Sequence, residues 1–258
     1  LMIKLELFKI LNNIMTKVAS LFGGIGGLDY GFKENGFEIT IANESNHVVK
    51  EIISFNFPGV WVNESDLDNV CTCGYQHRNP TGVIGCLPKD KQEKALGHFN
   101  RIIQATKPIF FVVFADGGIE ADEANDELRH ISDTLGGNSY DIFVQTMNEA
   151  CYGSRYDINH LVLVGFREDA GVVDYNFPPS IHKKEEVSIL EQTIEGVTAR
   201  EISQYKNLPD TYFINNLEED PVVKRAFLDT VAAGLSSALA KSIAETAVNI
   251  SLPISKLN

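Results

Sequence analysis

The sequence is short of cations, of cysteine and of long apolar runs. Its 258 residues include 22 lysines and arginines against 35 aspartates and glutamates, a formal net charge of −13. Such a balance favours solubility and repels a phosphate backbone unless the few cations cluster, which counts against nucleic-acid binding. Four cysteines (Cys71, Cys73, Cys86, Cys151) at irregular spacings form no disulfide framework and read as reduced thiols. No apolar run approaches the roughly 18 residues of a membrane span. The opening "LMIKLELFKILNNIM" has acidic and polar residues where a signal peptide needs an unbroken apolar core. A cytoplasmic protein without a membrane partner is therefore expected. Internal repeats and low-complexity tracts are missing too. The length suits one medium domain, or one with a small annex, that needs neither disulfides nor metals to fold.

What is present is a rhythm. The β-rich runs "KVASLF", "FEITIAN", "VWVNES", "GVIGCL", "IFFVVFA", "DIFVQTMN" and "HLVLVGF" alternate with stretches whose apolar residues recur every three or four positions. These are "GGLDYGFKEN", "SNHVVKEIISFNF", "DKQEKALGHFNRIIQATK" and "EANDELRHISDTLGG". Alternation of this kind predicts an α/β fold with a mostly parallel central sheet and helices on both faces. From about Ala170 to Gly196 the rhythm lapses around Pro178-Pro179, and a last helical segment, "DTVAAGLSSALAKSIAETAVNI", follows. "CTCGYQH" offers Cys71, Cys73 and His77 to a metal, but the single-residue gap and the lack of a fourth ligand favour a surface loop. "HKKEEVSILEQ" reads as a solvated face.

Residues 17 to 45, "KVASLFGGIGGLDYGFKENGFEITIANES", set a strand, a glycine-rich turn, a helix and a second strand ending at an acid about twenty residues on. That order makes a nucleotide-type site: glycines admit a ligand to the backbone and the acid takes ribose hydroxyls. NAD and S-adenosylmethionine both satisfy it, but the dinucleotide fingerprint fails where Asp29 holds its last glycine place. The stretch instead resembles the first two motifs of the DNA cytosine-5 methyltransferase family. Further blocks follow in that family's order. "FNFPGVWVNESDLDNV" is similar to the segment bringing an acid, here Asp66, to the adenine amino group. "IQATKPIFFVVFADGG" resembles "KP.FF..ENV.G", and "MNEACYGSRYDINHLVLVGFRED" resembles "L.A.DYG.PQ.R.R.F.VG.R". "VTAREISQYKNLPD" is similar to "LT.RE.ARLQ.FPD", and "AAGLSSALAKSIAE" to the closing helix "GNSV..P.A..I".

The resemblance implies a Rossmann-like fold that uses S-adenosylmethionine. It also implies a relay in which a cysteine thiolate adds to C6 of a flipped cytosine, a glutamate holds N3, and C5 takes the methyl. Residue by residue, those addresses have changed. The Pro-Pro-Cys-Gln loop falls on Leu87, Pro88, Lys89 and Asp90, so Lys89 stands where the nucleophile would be. A lysine amine is mostly protonated near neutral pH unless strongly desolvated, and is a poor substitute. Cys86, three residues upstream, is either a shifted nucleophile or a buried small apolar side chain. Glu-Asn-Val becomes Phe114-Ala115-Asp116, and the Gln-x-Arg-x-Arg positions carry Tyr156, Ile158 and His160. On the cofactor side Phe22, Gly23, Gly24, Gly26, Gly27, Glu44 and Asp66 remain. In the closing helix Gly-Asn-Ser becomes Gly234-Leu235-Ser236, which keeps Ser236.

The resemblance divides the chain into an extension (1–16), a methyltransferase-like domain (17–169), a connector (170–196) in place of a target-recognition segment, and a C-terminal segment (197–258) whose helix packs back. It implies a catalytically inactive relative. Such a protein would bind S-adenosylmethionine or S-adenosylhomocysteine, act through a protein partner (a second copy or an active methyltransferase), and bind DNA weakly or not at all. The alternatives are an active enzyme that uses unorthodox residues or parts lent by a partner subunit, and a relic with no selected activity.

Overall fold

The computed structural model describes residues 17–65, 71–116, 130–135, 137, 139–187, 189–190, 192–247 and 250. Seven strands form one sheet: β1 (Lys17–Leu21), β2 (Glu38–Asn43), β3 (Trp61–Asn63), β4 (Gly82–Cys86), β5 (Phe110–Asp116), β6 (Tyr140–Asn148) and β7 (Asn159–Arg167). Their spatial order is β3-β2-β1-β4-β5-β7-β6. The pairings from β3 to β5 are parallel, and β7 runs antiparallel to both β5 and β6. The expected mostly parallel α/β sheet is therefore present, with one reversed strand near its edge.

Strand β5 is apolar from Phe110 to Ala115 because both of its faces are covered there. Phe110, Val112 and Phe114 enter one core, and Phe111, Val113 and Ala115 the other. Seven helices flank the sheet among the described residues: α1 (Gly27–Glu34), α2 (His47–Asn56), α3 (Cys73–Arg78), α4 (Gln92–Thr106), α5 (Ala199–Tyr205), α6 (Pro221–Asp229) and α7 (Ala233–Ala247). A further helical stretch covers 130–135, and the rest of that expected helix lies outside the described residues.

Several helix starts follow from local chemistry. Asn46 accepts from the amides of Val48 and Val49 to start α2. Thr198 and Glu201 close a reciprocal capping box on α5. Asp220 caps α6, with Pro221 at its first position, where a missing N–H costs nothing.

Helices α3, α5 and α6 were not among the expected helices; α3 and α5, of six and seven residues, are too short to show a clear period. The reading of four reduced thiols also needs correction, because Cys71 and Cys73 form a disulfide where "CTCGYQH" opens α3. The closing helix α7 packs across α1 rather than beside β1. The contact is close because Gly31 has no side chain: a Cβ there would lie 2.4 Å from the Ser236 hydroxyl and from the Ser237 amide. No helix among the described residues is long and apolar enough to cross a membrane.

Candidate functional site

Parallel strands end on one edge of the sheet, and loops leaving that edge line a cleft of about 550 Å³. Phe22, Gly23 and Gly24 come from the turn after β1, and Cys86, Leu87, Pro88 and Lys89 from the end of β4 and the loop after it. Ala115 comes from β5, and Ile158, Asn159 and His160 come from the start of the reversed strand β7. Across from them lie Gln192, Lys206 and the segment running from the end of α6 to Val231.

The glycine turn is tight. Phe22, Gly24 and Gly26 all have positive φ, at 56°, 55° and 95°. For Phe22 that is a strained conformation of a kind that clusters at ligand sites. The Gly26 amide donates to the Gly23 carbonyl at 3.1 Å. A Cβ on Gly23 would come within 2.8 Å of both Asp29 and Ser20, and one on Gly27 within 2.3 Å of the Val231 carbonyl. The backbone is thus bare on the cleft lining at Gly23 and Gly24, and close neighbours exclude any side chain at Gly23 and Gly27. Such a cradle suits close approach of a ligand.

Asp29 lies beneath this turn, almost wholly buried, with Oδ1 unpartnered among the described residues. Burial pushes its carboxyl up to about 6, against the opposing hydroxyl of Ser20 and its own backbone amide. Glu44, at the end of β2, is half-buried, and burial also raises its carboxyl. Its Oε1 accepts from the Asn46 amide at 2.6 Å. The side chain of Phe22 meets the ring of His98 edge-on at 5.9 Å.

The other expected positions sit as follows. Lys89 is exposed at the start of a 3-10 turn over Lys89–Lys91, on the wall of the cleft. Phe114 is fully buried with its ring edge-on to His160 at 5.5 Å, so it is core rather than lining. Ala115 and Ile158 line the cleft, whereas Tyr156 is buried behind it. Ser236 is buried and donates to the Leu28 carbonyl at 2.5 Å, between α7 and α1 and away from the lining. Gly26 and Gly27 shape the turn from behind. Asp66 lies outside the described residues. Cys86, the last residue of β4, supplies the thiol among the described lining residues.

Sequence reading missed a buried polar cluster in which Glu149 lies behind two residues of the cleft lining, His160 and Lys206. Glu149, fully buried, accepts from His160 Nε2 at 2.8 Å, from Lys206 Nζ at 2.9 and 3.2 Å, and from the Ala232 amide at 3.1 Å. Burial pushes the Glu149 carboxyl up, but the Lys206 ammonium and His160 outweigh it and hold it at about 2. Against the family patterns quoted above, Glu149 stands at the alanine of "L.A.DYG" and Lys206 at the glutamine of "ARLQ". An acid and a base at two positions where the pattern is neutral were the available signal. Neither alone marks burial, because lysine and glutamate are usually exposed.

Fold and cleft define a class: a Rossmann-like methyltransferase fold with its glycine turn at the carboxyl edge of the sheet. The C-5 cytosine-specific DNA methylase family model matches residues 16–226, and the chain belongs to that family. The type II methyltransferase M.FnuDI of Fusobacterium nucleatum is 28% identical over 182 residues, 66% of this chain and 52% of that protein. M.NgoPII of Neisseria gonorrhoeae is 25% identical over 219 residues, 78% of this chain and 63% of that protein. The chain thus spans less than two thirds of the length of either relative. The solved S. pombe Dnmt2 methyltransferase matches with a TM-score of 0.64 at 11% identity, over 87% of this chain and 96% of that one. At that identity the likeness is one of fold.

Proposed function

We propose that this chain is a cofactor-binding member of the cytosine-5 methyltransferase family that carries out no methyl transfer and works through a protein partner. The observation that carries the reading is the contrast at the cleft: a bare, strained glycine turn on one wall, and Lys89 and the buried ring of Phe114 at the two positions that would supply nucleophile and acid. The residues fit S-adenosylmethionine or S-adenosylhomocysteine on the turn side. Gly23 and Gly24 admit the ligand to the backbone, Phe22 offers a ring face, and Glu44 keeps a carboxylate oxygen for ribose hydroxyls, with Asp66 as acceptor for the adenine amino group. When bound, S-adenosylmethionine supplies an electrophilic methyl on a sulfonium.

Chemistry then needs a thiolate and an acid positioned together. Lys89 lacks the first and Phe114 lacks the second. Restriction-modification systems are the setting the family suggests, and a second copy or an active methyltransferase is the partner this reading favours. An active enzyme is the second reading, supported by the Cys86 thiol on the cleft wall. Incubation with labelled S-adenosylmethionine and DNA or RNA separates the two. The first reading expects no label transferred. Transfer that Cys86→Ala abolishes would establish the second.

A further inference from the structure

The cluster behind the cleft does more than bury charge. The Lys206 ammonium has three protons and three acceptors: the two Glu149 oxygens and the Thr230 carbonyl at 2.8 Å. Glu149 in turn holds the Ala232 amide, and the Ala233 amide donates to the Lys206 carbonyl at 2.8 Å. The turn 230–233 is therefore gripped from one side by an ion pair and by backbone. On its other side the Thr230 hydroxyl donates to the Gly23 carbonyl at 3.2 Å and accepts from the Gly27 amide at 3.0 Å. The Val231 carbonyl lies so close to Gly27 that no side chain fits there.

We infer that Glu149, Lys206 and Thr230 form a buried strut that fixes the glycine turn in its ligand-holding shape, so that cofactor affinity depends on an ion pair distant in sequence from the turn. The consequence for affinity rests on the cofactor reading above, whereas the consequence for the turn itself does not. Glu149 and Lys206 replace neutral positions of the family pattern together, as a dependent pair should, since Lys206 alone would be a buried unpaired charge and Glu149 alone would keep only the weaker support of His160. They are positioning residues: Lys206 reaches the turn only through Thr230.

Two readouts test the strut, amide-hydrogen exchange of residues 23–27 in the ligand-free protein and calorimetric titration with S-adenosylhomocysteine. Thr230→Val keeps the ion pair and removes only the hydroxyl. Glu149→Leu with Lys206→Met removes the pair without leaving a lone buried charge, which guards against a simple failure to fold. Both variants should raise exchange at 23–27 about tenfold and weaken binding about tenfold, the worth of one or two hydrogen bonds. Thr230→Ser, which keeps the hydroxyl, should restore both values.

Exchange at 23–27 unchanged in both variants would overturn the strut. A loosened turn that binds S-adenosylhomocysteine as tightly as the wild type would overturn its positioning role. Wild-type protein that binds no S-adenosylhomocysteine, with exchange still rising in the variants, would sustain the strut and refute the cofactor reading.

Discussion

The glycine-turn side of the cleft and the β4–β5–β7 side are built from the same sheet edge but hold different kinds of residue. On the first, Phe22, Gly24 and Gly26 keep left-handed backbone and Asp29 keeps a buried carboxyl with one oxygen unpartnered among the described residues. Conformation there is expensive, and the fold maintains it. On the second, an exposed lysine, a core phenylalanine and an isoleucine stand where the family pattern would have nucleophile, acid and cation. Those residues are ordinary for a surface and a core. If the proposed function holds, a binding edge and a reacting edge are separable. Backbone shape is tied to the packing of α1, α7 and the 230–233 turn, whereas the substituted positions lie in the turn after β4 (Lys89), inside buried β5 (Phe114) and directly before β7 (Ile158).

The largest expected effect concerns the reacting edge. The wild type should transfer methyl groups at least ~10⁴-fold more slowly than a family member with thiol and acid in place, since acid–base catalysis alone contributes about 10²–10⁴-fold. Lys89→Cys alone should restore nothing, because parts that act as a unit do not compensate for one another. Label transfer by the single variant would show that the second edge is less altered than its residues suggest.

Next comes the buried pair between the two edges. Lys206→Met leaves Glu149 buried with His160 and the Ala232 amide but no ammonium and should cost up to about 3–5 kcal/mol in denaturant unfolding, most of it recovered when Glu149→Leu is added. The pair also sets an acid limit. The Glu149 carboxyl is held at about 2 in the folded state, below its ordinary value. Its contribution is therefore fully present above the ordinary carboxylate range and is lost as pH falls toward 2. A wild type and a Glu149→Leu/Lys206→Met variant with parallel stability profiles below pH 5 would contradict this.

Asp29 has the opposite sign. Its folded-state carboxyl is raised to about 6, so the folded protein binds the proton more tightly and stability falls as pH rises from about 4 to 6. Asp29→Asn should match the wild type near pH 4 and exceed it by up to about 3 kcal/mol at pH 7.5, the worth of a shift of about two pH units. Urea midpoints at the two pH values check it. A variant less stable at pH 7.5 would mean that the carboxylate is solvated behind the glycine turn.

The smallest effect is on DNA. With a net charge of −13 and Ile158 in place of a cation on the cleft wall, duplex binding at physiological salt should be weaker than about 10⁻⁵ M. Sub-micromolar, salt-sensitive binding would show that the cations cluster on a face where they outweigh the acidic total.

Much of the fold was legible because its signals are local. All seven strands matched β-rich runs, and the glycine turn was evident from spacing alone. Helix α6 was missed although Asp220-Pro221 is a sound start signal and Val223, Phe227 and Leu228 recur at helical spacing. The Cys71–Cys73 disulfide was missed because a one-residue spacing resembles no framework. The Glu149–Lys206 pair was illegible for a different reason: its partners are 57 residues apart, and nothing in either local stretch indicates that a charged side chain is inside. Long-range compensation of this kind appears only when the chain is folded.

Binding without turnover is the central claim, and one chromatographic experiment addresses both halves. The protein is incubated for hours with S-adenosylmethionine and duplex DNA, passed over a sizing column, and its bound ligand identified by mass. Unreacted S-adenosylmethionine should travel with the protein, with no S-adenosylhomocysteine formed and no methyl group on the DNA. S-adenosylhomocysteine together with methylated DNA would contradict it, and so would protein that emerges with no ligand.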